Sequence, residues 1–169
     1  MNKNLILTGM MGVGKSTIGS LLSKKLNMNF IDLDKSIEKK ESLSIKNIFG
    51  NKGEKYFRSL EEKVFLEKFK EDNSVIALGG GSFINRKIRD LVLKKSISFW
   101  LDLDIKTLSG RLTNSTKRPL LDGNNLKENL YKIYKDRKDL YRLADFKIDC
   151  NNTDRTIIIK KIAELYASK

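Results

Sequence analysis

Gly9-Met10-Met11-Gly12-Val13-Gly14-Lys15-Ser16-Thr17 follows the phosphate-binding loop pattern of glycine, four residues, then glycine, lysine and serine or threonine. Before it, Asn4-Leu5-Ile6-Leu7-Thr8 is a short apolar run of the kind found in buried strands. After it, Ile18, Leu21, Leu22 and Leu26 recur at helical spacing. The loop therefore joins a strand to a helix, which is the setting in which such a loop works. Its glycines let successive backbone N–H groups turn inward, and the helix that follows adds the positive end of its dipole, so a polyanionic phosphate is held there. In this pattern the lysine, Lys15, reaches the β and γ phosphates, and the hydroxyl of Ser16 faces Mg²⁺.

Composition narrows the chemistry. A chain of 169 residues with 40% hydrophobic content is enough for one domain around one core. There is no histidine, so a general base must be Asp, Glu, Lys, Tyr or water, and a metal site must use oxygen ligands, which suits Mg²⁺ and not zinc. The single cysteine, Cys150, excludes an intramolecular disulfide and reads as a small, partly buried residue. No signal-like or membrane-spanning apolar run stands out, and a cytoplasmic, soluble chain is expected. The formal charge of +13 raises the question of nucleic acid. The lysines are spread through every predicted element, however, and aromatic residues are few. A solvated lysine-rich surface that also draws in anionic substrates is the expectation, without a nucleic-acid partner.

Further along, Asn29-Phe30-Ile31-Asp32-Leu33-Asp34 alternates apolar and polar residues and reads as a second strand, with Asp32 and Asp34 pointing the same way. Carboxylates at a strand end lie where ligands of open α/β sheets collect, although the same residues also serve as helix caps. Residues 35–52 carry sparse apolar positions, including Ile45, Ile48 and Phe49, and are expected to cover the sheet edge rather than enter the core. A helix is expected from Gly53 to about Lys70, with Phe57, Leu60 and Val64 inward and Glu54, Arg58 and Glu61 on the adjacent stripe. Taken alone, Glu54 and Arg58 are an ordinary (i, i+4) pair. Val75-Ile76-Ala77-Leu78 is a third strand, ending in Gly79-Gly80-Gly81, which is either a simple turn or a place where backbone approaches a ligand closely. With no acid at that strand end, Asp32 is the best candidate for a metal's carboxylate.

A helix over about 85–94, a strand at Ile97–Leu101 and a helix capped by Asp104 that ends near Arg111 follow. Residues 113–125 are rich in turn formers and hold the one proline, beside Arg118. That composition fits a lid that carries a cation to phosphate, or an inert surface loop. A helix from Leu126 carries Leu130, Ile133, Leu140 and Tyr141 on one face, and Arg137 falls on this apolar stripe, where it must either reach water or meet an anion. A strand at Phe146–Cys150, a turn at Asn151–Asp154 and a helix carrying Ile157, Ile158, Ile162 and Leu165 complete the chain. The alternation predicts a single parallel α/β sandwich.

Together, the phosphate loop, Asp32-Leu33-Asp34, the run from Gly53-Glu54 through Phe57-Arg58 to Glu61, Gly79-Gly80-Gly81 and Arg118-Pro119-Leu120-Leu121 resemble the shikimate kinase family over nearly the whole chain. The phosphate loop alone is shared by many nucleotide-binding proteins, and the arginine and triple-glycine motifs in this order are far more selective. The resemblance implies one P-loop kinase domain over 1–169 of the nucleoside monophosphate kinase type. This is a three-layer α/β/α sandwich on a five-stranded parallel sheet of order 2-3-1-4-5, with a substrate-binding region at about 33–61 and a lid at about 113–125.

It further implies that Gly12, Val13, Gly14, Lys15, Ser16 and Thr17 hold the phosphates of ATP, and that Ser16 and Asp32 attend Mg²⁺. Asp34 would accept a hydrogen bond from the substrate hydroxyl. Arg58 and Arg137 would clamp the carboxylate of shikimate, with Glu61 orienting Arg58 and Gly79, Gly80 and Gly81 lining the ring. Arg118 would close on the phosphates, and Arg111 would flank the adenine opposite Asn151 to Thr153. The implied reaction is ATP-dependent phosphorylation of shikimate by a monomer. A kinase of gluconate or of a nucleoside monophosphate, and a nucleotide- or RNA-binding regulator without turnover, are the competing readings.

Overall fold

The computed structural model describes residues 3–112 and 125–169, so Arg118 and the expected lid, apart from Asn125 at its end, lie outside the described residues. The elements run β1 (Asn4–Thr8), α1 (Lys15–Leu26), β2 (Asn29–Asp32), α2 (Leu33–Glu41), α3 (Ile45–Lys68), β3 (Ser74–Ala77), a 3₁₀ turn (Ser82–Ile84), α4 (Arg86–Lys95), β4 (Ser96–Asp102), α5 (Ile105–Leu112), α6 (Leu126–Tyr141), β5 (Phe146–Asp149) and α7 (Arg155–Ala167). The strands form one five-stranded sheet of order β2-β3-β1-β4-β5. Each strand pairs in parallel with its neighbour, β1 matching Leu5 to Val75 on one side and to Ile97 on the other.

This architecture follows from where the apolar residues fall. A parallel sheet with helices on its faces needs strands that are apolar on both sides, and Leu5, Ile6 and Leu7 of the central strand are fully buried, as are Val75, Ile76 and Phe99 of its neighbours. Helix α1 packs on β3 and α7, and α4 packs on β4. The chain moves outward from β1 in both directions, so the carboxyl ends of β1, β2 and β3 open onto a common crevice, where ligands of such sheets bind. Among the described residues no helix is long and apolar enough to cross a membrane.

Four sequence expectations need correction. Strand β2 stops at Asp32, whose side chain accepts from the amide of Lys35 (3.1 Å) and so caps α2, placing Asp34 in that helix's first turn. The alternation at 29–34 thus reflects a strand followed by a helix cap, and the two acids do not share a strand face. Residues 35–52 are not merely a cover, because Ile37 and Ile48 are fully buried in the core. Helix α3 begins at Ile45, well before the expected Gly53, which remains as a break inside it with φ 78° and ψ 168°. On α7 and α1 the inward faces are Ile158, Ile159 and Ile162, and Ile18 and Leu22, while Ile157 and Leu21 stand out toward solvent.

Candidate active site

At the carboxyl end of β1 the loop turns through Gly9, Gly12 and Gly14, all with positive φ, and delivers Lys15 as the first residue of α1. Lys15 is nearly buried, and its Nζ donates to the carbonyls of Gly9 and Met10 at 2.8 Å each. A cavity of about 210 Å³ above the loop is lined by Gly12, Gly14, Lys15, Ser16, Thr17, Asp32, Asp34 and Leu78.

On one side of the loop a larger cavity of about 740 Å³ is bounded by Gly12, Val13, Gly14, Thr17, Arg111 and Thr153, with Cys150 also in its lining. The Nη1 of Arg111 donates to the carbonyls of Gly12 (3.4 Å) and Val13 (3.2 Å), so this arginine braces the phosphate loop as well as bordering the cavity. Thr153 donates to the carbonyl of Asn151, whose side chain in turn accepts from the amide of Asp104. Arg111 of α5 and Thr153, in the turn before α7, thus meet at one cavity. Burial raises the Cys150 thiol to about 11, so it stays protonated and unreactive near neutral pH.

On the other side lies a cavity of about 260 Å³ bordered by Asp34, Phe49, Phe57, Arg58, Glu61, the three glycines and Arg137. Gly79 and Gly81 lie against charged side chains that a side chain added there would have to displace, and Gly80 lies against the Met11 backbone. A Cβ on Gly79 would stand 2.6 Å from Asp34 Oδ1, and one on Gly81 2.6 Å from Arg58 Nη1. Arg58 Nη1 reaches Glu61 Oε2 at 2.9 Å, and its Nη2 meets Glu54 at 3.3 Å. Burial pulls the Arg58 guanidinium down, but Glu61 and then Glu54 outweigh it and hold it above its ordinary value. Glu61 is itself buried, and its other oxygen accepts from Ser82 Oγ at 2.6 Å. Arg137 donates to the Gly80 carbonyl at 3.0 Å and faces this cavity, so it meets backbone and pocket rather than snorkelling away.

Asp34, Ser16 and Asp32 border both this cavity and the one above the loop, so the two open onto each other at these three residues. Ser82, through Glu61, and Phe49, whose ring lies 4.6 Å from that of Phe57 in the arginine motif, belong to the site beyond the residues expected from the sequence. No local pattern marks Ser82. Phe49 stands among the sparse apolar positions of 35–52, whose pattern reads as a covering segment.

A phosphate cradle that opens sideways onto a small cavity walled by arginines, on a sheet of this order, defines a P-loop phosphotransferase with a small anionic acceptor. The family model for shikimate kinase matches residues 11–167. A shikimate kinase from Sulfurihydrogenibium sp. is 41% identical over 160 residues, covering 95% of each chain. One from Bartonella henselae is 39% identical over 161 residues, 95% of this chain and 77% of the relative. Among solved structures, shikimate kinase from Acinetobacter baumannii in complex with shikimate superposes with a TM-score of 0.95 at 32% identity, covering 98% of this chain and 93% of that one. The chain belongs to the shikimate kinase family.

Proposed function

We propose that this chain transfers the γ-phosphoryl group of ATP to the 3-hydroxyl of shikimate, yielding shikimate 3-phosphate for chorismate and aromatic amino-acid biosynthesis. The observation that carries the reading is the seam at Asp34, where the cavity over the phosphate loop opens onto the arginine-walled cavity. Phosphoryl transfer asks a protein mainly for positioning and charge. Arg58 and Arg137 receive the substrate carboxylate through paired, charge-assisted hydrogen bonds, and Glu61 keeps Arg58 aimed. Gly79, Gly80 and Gly81 let the ring lie against backbone. The hydroxyl then faces Asp34, which accepts its proton as the oxygen forms a bond to the γ-phosphorus and the bridging oxygen leaves with ADP.

Gly12, Val13, Gly14 and Thr17 hold the phosphates, and Lys15 moves from loop carbonyls to the β and γ oxygens. Arg111 and Thr153 border the adenine. Arg118 closes on the phosphates; this assignment rests on the sequence motif. The donor set at the seam fits Mg²⁺, because Ser16 and Asp32 offer hard oxygens and this ion is ordinarily held by one or two protein ligands plus phosphates. When bound it would neutralise developing charge on the transferred group. Every residue named here belongs to one chain, and the working unit is taken to be a monomer.

The test is a turnover assay with Mg·ATP and a panel of acceptors. Shikimate is expected to be phosphorylated well above gluconate, AMP and CMP, and Arg58→Ala and Arg137→Ala to raise the shikimate KM. Equal rates with shikimate and gluconate, or an unaltered KM in both variants, would overturn the carboxylate clamp.

A further inference from the structure

Tyr141, the last residue of α6, is fully buried beneath the site and has no part in the reading above. Its hydroxyl donates to the carbonyl of Gly80, the same oxygen that accepts from Arg137 Nη1 at 3.0 Å. Burial keeps the phenol protonated, so it remains a donor across the working range. The ring stacks on Trp100 with centroids 6.0 Å apart, and the hydroxyl also lies 3.9 Å from the sulfur of Met10 in the phosphate loop. Gly80 itself is packed against that loop, since a Cβ there would stand 3.1 Å from the Met11 amide nitrogen.

A peptide carbonyl has two lone pairs, and here both are used, one by a buried phenol behind the glycine run and one by an arginine in front of it. We propose that Tyr141 is a positioning residue for substrate recognition: it fixes the Gly80 carbonyl, and through that oxygen the guanidinium plane of Arg137, so that the remaining N–H groups of the fork face the acceptor cavity. Arg137 and Tyr141 lie one helical turn apart on α6, so they present themselves to one oxygen from the same helix face. Without the phenol, the carbonyl keeps only one of its two donors, and the arginine loses the buried hydroxyl that shares its acceptor and helps to set its plane. A guanidinium binds a carboxylate well only when that plane is aligned. This inference rests on Arg137 binding the acceptor carboxylate.

The experiment is Tyr141→Phe, which removes one oxygen and keeps the ring. It is expected to raise the shikimate KM roughly 2- to 10-fold, the weight of one hydrogen bond lost from an acceptor that keeps its other donor, with the ATP KM and kcat little changed. Tyr141→4-fluorophenylalanine, which removes the donor and keeps the para position filled, carries the same expectation should the phenylalanine variant not fold. Tyr141→4-aminophenylalanine, which restores a donor, should bring the KM back. Trp100→Phe, a packing change beside the same ring, should lower Tm without moving the shikimate KM. In a double-mutant cycle with Arg137→Lys the two effects on shikimate kcat/KM should fall short of adding. An unchanged shikimate KM in Tyr141→Phe, or full additivity with Arg137→Lys, overturns the proposal. If Arg137→Ala also leaves that KM unchanged, it is the carboxylate clamp that has failed; if Arg137→Ala raises it and Tyr141→Phe does not, only the role of Tyr141 falls.

Discussion

Asp34 stands in the first turn of α2 and borders the phosphate cavity and the acceptor cavity together, close against the Gly79 backbone. With no histidine in the chain, the proposed reaction gives acceptance of the hydroxyl proton to this carboxylate. Asp34→Asn is close to isosteric and is expected to lower turnover by roughly 10²–10⁴-fold, the usual weight of a general base, while nucleotide affinity measured by titration is retained. Near-normal turnover would remove Asp34 from that role. At this scale the sequence was informative where function follows a local spacing. Glu54, Arg58 and Glu61 share one helix stripe, and the Glu54–Arg58 pair can be read from its (i, i+4) interval, whereas the part of Glu61 comes from the family resemblance. The sequence was silent on Ser82, which meets Glu61 from 21 residues away, and on the hydroxyl of Tyr141, which meets Gly80 from 61 residues away. Both partners are chosen by tertiary packing. A tyrosine on an apolar stripe gives no sign of what its oxygen will find.

Helix α3 shows how an element can be right in kind and wrong in extent. Its apolar period was clear after Gly53 and sparse before it, because the segment at 45–52 buries Ile48 while Phe49 turns toward the acceptor cavity. The break at Gly53 lets both halves serve the site, bringing Phe49 against Phe57 across it. Glu41 of α2 clasps both sides of the break, accepting from Lys52 at 2.6 Å and Tyr56 at 3.1 Å. A Cβ at Gly53 would meet nothing within 4 Å, so any cost of substitution comes from the backbone alone. The conformation there is one that only glycine adopts readily, and Gly53→Ala is expected to cost about 1–3 kcal/mol, read as a lower urea midpoint, with a raised shikimate KM if the two halves shift. A midpoint equal to wild type would show that the break relaxes at no cost. Similar reasoning explains β2: residues 29–34 alternate as a strand does, but Asp32 gives its side chain to the first turn of α2, and a cap competes with alternation for the same residues.

Over the whole molecule, the strand-and-helix alternation and the phosphate loop were enough to fix an α/β sandwich, and the sheet order came from the family resemblance because periodicity says nothing about which strands pair. The charge pattern has a consequence for stability. Glu41, Glu62 and Glu67 are held below their ordinary values first by hydrogen bonds from Lys52, Lys87 and Lys40, and Asp104, Asp149 and Asp154 by bonds from Thr107, Asn151 and Thr156. The unfolded chain therefore takes up protons at higher pH than the folded one, and stability present above the ordinary carboxylate range is lost as pH falls through the folded values. At the alkaline end the sign reverses: the buried thiol of Cys150, raised to about 11, favours folding until pH climbs past the unfolded value near 9. No histidine titrates in between. Thermal melts should give a Tm nearly flat from about pH 6 to 8, declining below about 4.5, since carboxylates titrate near 4; a step near pH 6.5 would contradict this account. The row of connected cavities has a different consequence. The 740 Å³ space and the loop cavity share Gly12, Gly14 and Thr17, and the loop cavity and acceptor cavity share Ser16, Asp32 and Asp34. One elongated inhibitor, a cyclic carboxylate tethered through a phosphate mimic to a heteroaromatic head, could span all three, and a tether of matched length would make each end's capture intramolecular, so that two weak fragments become one tight compound.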